Sequence, residues 1–93
     1  MNKEAIIGMC EKFINKIILR RFPMITEFEI LEPVKLAGLE SNHQSPIRLI
    51  FVFWMTNKDE EILDSLKSEI KIMLNGFGLK SIIPYFEFLS DRE

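Results

Sequence analysis

Residues 46–55 read Pro46-Ile47-Arg48-Leu49-Ile50-Phe51-Val52-Phe53-Trp54-Met55, and the fold turns on how they are taken. In an extended chain, successive side chains point to opposite faces. Ile47, Leu49, Phe51, Phe53 and Met55 then share one face, and Arg48, Ile50, Val52 and Trp54 the other. Both faces are largely apolar, which predicts a strand at the centre of its sheet. The run is too short for a membrane helix, which needs about 20 apolar residues.

Moving outward, Thr56 or Asn57 is expected to cap a helix over Lys58–Asn75, with Asp59 or Glu60 three residues beyond the respective cap. Ile62, Leu63, Leu66, Ile70, Met73 and Leu74 form its inward stripe. Gly76 is the expected left-handed residue that ends it. Lys80–Leu89 reads as a strand, with Ile82, Phe86 and Phe88 on one side and Ile83, Tyr85 and Leu89 on the other. Pro84 has no N–H for the ladder, so one edge of that strand is predicted unpaired. Residues 90–93 read as a loose tail.

Upstream, Ile25–Leu36 alternates, with Phe28 and Ile30 on one face and Glu27 and Glu29 on the other. Pro33 predicts an edge position or a bulge there. Residues 37–45, with Gly38, Ser41, Asn42 and Ser45, read as a long flexible hairpin loop. A first helix is expected from Lys3 to Arg21, capped by Asn2 and stopped by Pro23 through its effect on Phe22. Ile6, Met9, Cys10, Phe13, Ile17 and Arg20 recur at helical spacing, with Ile7, Ile14 and Ile18 widening the apolar stripe.

The order α-β-β-α-β gives an α+β fold. A hairpin and a right-handed crossover make a three-stranded mixed sheet, with both helices on one face of a two-layer α/β sandwich. Residues 1–93 fit one domain. The element order resembles that of the small cytosolic domains of cation-diffusion transporters. That resemblance implies metal-binding histidines on or near the last strand, where this chain has Pro84-Tyr85-Phe86-Glu87, so no residue carries over.

The chain carries 14 acidic and 12 basic residues, for a net charge of −2. This balance argues against a global electrostatic grip on nucleic acid. With one Cys, no intramolecular disulfide can form, in keeping with a reducing compartment. Met1–Ala5 starts no hydrophobic leader. A cytoplasmic protein is the expectation.

Reactive chemistry is sparse. His43 sits in a polar stretch with only Glu40 near it, whereas a zinc site needs three or four convergent ligands. Cys10 falls on the apolar side of the first helix without a basic partner. Asn75-Gly76-Phe77-Gly78 follows a helix, whereas a phosphate-binding loop precedes one. The sequence therefore predicts no catalytic, metal or cofactor-binding residues, and the chain is expected not to be an enzyme.

What remains is surface. Helices on one face leave the other bare, and that face is expected to carry Ile50, Val52, Trp54, Ile83 and Tyr85 beside Glu27, Glu29 and Glu87. An apolar strip rimmed by carboxylates marks an interaction surface. Glu32 extends this acidic patch, and Asp59, Glu60, Glu61 and Asp64 form a second one that also favours the positive end of the helix dipole. The first reading is a non-catalytic binding module for a basic protein partner, in the manner of a small immunity or antitoxin protein. The second is a homodimer through the open sheet face. The third, weakest because of the net acidity, is an RNA- or ribosome-associated domain using Lys12, Lys16, Arg20 and Arg21.

Overall fold

The computed structural model describes residues 2–33 and 47–91. The stretch around residues 46–55 forms β2 (Ile47–Met55), and it is central. β1 (Ile25–Leu31) pairs with it antiparallel, and β3 (Ile82–Ser90) pairs with it parallel on the other side. Pro84 thus sits in an edge strand, where its missing N–H costs no ladder bond on the open side.

Leu49, Phe51, Phe53 and Met55 are buried, and each is a core residue. Ile6, Cys10, Ile14 and Ile18 of the first helix join them in one cluster, as do Leu66, Ile70, Met73 and Leu74 of the second. Phe86 stacks on Phe51 with ring centroids 6.0 Å apart, and Phe88 stacks on Phe53 at 6.1 Å. Val52, although buried, stands outside this cluster, as its opposite orientation requires.

The first helix runs in three continuous segments: α1 (Lys3–Phe13), a π-helical stretch (Ile14–Ile18) and a last turn, α2 (Leu19–Arg21). Asn2 caps it, its Oδ1 accepting from the Ala5 N–H at 2.7 Å. The buried row Ile6, Cys10, Ile14, Ile18 keeps a strict four-residue spacing. On an α-helix such a row drifts by about 40° per step. In the wider segment the Leu19 N–H donates to the Ile14 carbonyl, five residues back. This offsets the drift and keeps Ile18 in the core. The expected stripe is therefore corrected at Ile17, which is 38% exposed; Phe13 packs against the cluster from its margin, and Ile14 and Ile18 take the centre.

The second helix, α3, spans Glu60–Gly76 and starts later than expected. Asn57 Oδ1 accepts from the Asp59 N–H at 3.0 Å, a local turn that competes with helix. Asp59, not Thr56 or Asn57, is the residue at the cap position. At the other end, Gly78, not Gly76, takes the left-handed conformation, with φ of +75°. The Leu79 N–H donates to the Leu74 carbonyl and the Gly78 N–H to that of Asn75, the Schellman pattern.

Other boundaries move as well. β1 ends at Leu31, and its one register shift lies between Ile25 and Glu27 rather than at Pro33. β3 begins at Ile82, and Ser90 belongs to it, paired with Met55, instead of opening a loose tail. The hairpin loop at 37–45, His43 within it, and residues 92–93 lie outside the described residues.

Candidate functional site

Paired residues in a ladder share a face, so the register sets out the open side of the sheet rung by rung. Glu27, Trp54 and Leu89 form one rung; Glu29, Val52 and Glu87 the next; Leu31, Ile50 and Tyr85 the third. Arg48 pairs with Ile83 beyond them. Val52 is thus flanked by a carboxylate on each side, and its neighbours reduce its exposure to 6%. Ile50 and Trp54 are half-buried. Tyr85 is 46% exposed, Leu31 41% and Ile83 38%, and Glu27, Glu29 and Glu87 are open to solvent.

Seven of the residues singled out from the sequence therefore meet on one surface: Glu27, Glu29, Ile50, Val52, Trp54, Tyr85 and Glu87. The others do not join it. Glu32 follows β1 and pairs with Lys3 at 3.0 Å. Asp59, Glu60, Glu61 and Asp64 are exposed at the start of α3, a separate element. Leu31 is an addition; carrying the Glu27–Glu29 alternation one step further finds it. Of the apolar side chains on this face that are buried or half-buried, Ile50, Val52, Trp54 and Leu89, none belongs to the core cluster or packs against it. Arg48 is the one cation on these rungs among the described residues.

This face offers carboxylates that can accept hydrogen bonds, an exposed phenol and a half-buried indole. The Cys10 thiol lies elsewhere, inside the core, where burial, with a smaller effect from Glu11, pushes its pKa up from 9.0 to about 11. A thiol so placed stays protonated and packs as a small hydrophobe. The unfolded chain ionises it first, so the contribution is full below pH 9.0 and is lost as pH rises towards about 11. Native protein should therefore leave a thiol reagent unreacted at neutral pH until denaturant opens the core. Above pH 9.0 its denaturation midpoint should fall more steeply than that of Cys10→Ala. Rapid labelling of native protein would contradict the buried placement.

Among the described residues, no three His, Cys, Asp or Glu side chains converge on a point that could hold a metal ion. No described helix is long and apolar enough to cross a membrane. Comparison with protein-family models, characterised proteins and solved structures finds no match to this chain.

Proposed function

We propose that this chain is a non-catalytic binding module whose open sheet face docks a basic protein partner, in the manner of a small acidic inhibitor. One observation carries the reading: on a sheet face outside the core, Trp54 with Glu27 on one rung and Leu31, Ile50 and Tyr85 on another lie either side of the carboxylates Glu29 and Glu87. Aromatic anchors interleaved with carboxylates suit this work, because the charges speed encounter and the desolvated rings hold the complex. Self-pairing of the same faces about a two-fold axis is less favourable, since it sets Glu29 and Glu87 against the identical acids of a second copy.

The test is a charge reversal. Wild type and a Glu29→Lys, Glu87→Lys variant are used to capture proteins from nuclease-treated lysate of the native cell. A basic protein held stoichiometrically by wild type should associate with the variant about tenfold more slowly at low salt, and with a flatter salt dependence. An on-rate untouched by the reversal overturns the proposal.

A further inference from the structure

A second apolar surface lies on the helical layer. Met9, Phe13 and Ile17 descend α1 and the π-helical segment at four-residue spacing, and Phe77, just past α3, forms the opposite wall. Together they line a shallow groove of about 280 Å³. Phe13 and Phe77 meet edge to face, 5.9 Å between centroids, which fixes the floor. Lys12 and Lys16 stand at the rim, and Arg20 continues their row by one more turn. The ion pairs found among the described residues use Lys3 and Arg21, the latter with Glu69, and none of these three cations.

The groove thus offers two parallel rows, one apolar and one cationic. The cationic row runs over eight residues, about 12 Å of helix. The π-helical segment, Ile14–Ile18, offsets along its length the drift that four-residue spacing otherwise suffers, so that the later part of each row runs nearly parallel to the helix axis. We infer that the groove receives an acidic amphipathic helix of a protein partner. Its apolar side fills the space between Phe13, Ile17 and Phe77, and its carboxylates, spaced by one turn, face Lys12, Lys16 and Arg20. A single small carboxylate meets only one gap in such a row. A bilayer surface or a phosphate backbone leaves an inset apolar floor unfilled, since Met9 and Phe13 are half-buried rather than projecting.

This site is separate from the open sheet face, and the two are distinguished by one probe. Trp54, the only tryptophan, lies on the sheet face. A fluorescein-labelled helical peptide of about three heptads, Leu along one side and Glu beside it, is titrated against the full chain by anisotropy. A matched peptide with Gln for Glu, a mixed-sequence RNA and vesicles of equal phosphatidylcholine and phosphatidylglycerol serve as competitors. The acidic peptide should bind about tenfold more tightly than its Gln counterpart at low salt, and Lys12→Glu with Lys16→Glu should remove that preference. Trp54 emission should not move. Ile17→Ser, at an exposed position, should weaken both peptides alike. Equal binding of the two peptides, a preference that survives the double reversal, a shift in Trp54 emission, or displacement by RNA or vesicles but not by unlabelled acidic peptide would each overturn the assignment.

Discussion

Phe51→Ala should bring the domain close to unfolding at room temperature. Phe51 is fully buried at the middle of β2, paired with Ile30 on one side and Phe86 on the other. Its removal leaves a cavity that the sheet cannot close, because both neighbouring strands are fixed by their ladders and the ring stacks on Phe86. Phe→Ala changes in such places cost about 3–5 kcal/mol. A chain of this length has roughly 5–14 kcal/mol in total, so a fifth or more of its stability goes with one side chain. Urea unfolding followed by far-ultraviolet circular dichroism should show the midpoint collapse with the slope unchanged. Leu66→Ala, also fully buried, belongs with it. Phe86→Ala, on an edge strand and only half-buried, should cost distinctly less. Equal losses at Phe51 and Phe86 would mean that β3 is covered on its outer side, against the strand order.

That grading separates what the amino acids announce from what only packing decides. The alternation through residues 47–55 places β2 and both its faces, because a period of two admits no second assignment without exposing Phe51 and Phe53. The same alternation in β1 and β3 then carries Glu27, Glu29, Tyr85 and Glu87 to the open side. Helix ends are harder to read. Asn57 satisfies either a cap or a local turn, and the turn prevails. Gly76 and Gly78 both suit a helix stop, but Phe77 lies against Phe13, and the left-handed residue falls after it. The π-helical segment leaves a trace in the row Ile6, Cys10, Ile14, Ile18, yet that row overlaps with Met9, Phe13 and Ile17, and spacing alone does not rank the two. The groove on the helical layer follows from this choice, since Ile17 is exposed only because Ile14 and Ile18 hold the core. The identity of the proposed partner is not legible at all, for recognition surfaces carry no fixed spacing of reactive groups of the kind that catalytic sites must have.

Trp54→Ser should do the reverse of Phe51→Ala, removing partner docking while leaving the fold in place. The two positions are three residues apart on one strand and point to opposite sides. Trp54 is half-buried between Glu27 and Leu89, outside the core cluster, so its loss opens no internal cavity. At an interface, a central tryptophan truncated in this way costs about 2–4 kcal/mol, which is roughly 30- to 1,000-fold in affinity. Most of it should come from faster dissociation, because the rim carboxylates that steer encounter are untouched. Glu29→Lys with Glu87→Lys should act on the association rate instead, so the two variants divide the binding energy between anchor and rim. If Trp54→Ser lowers the urea midpoint as far as Phe51→Ala does, the indole is part of the fold and the docking proposal fails. If it leaves stability and partner affinity both unchanged, the face is solvent-exposed but is not where the partner sits. The proposal requires the two effects to separate, with positions 49, 51, 53 and 55 holding the domain together and Trp54, with Ile50 beside it, holding the partner.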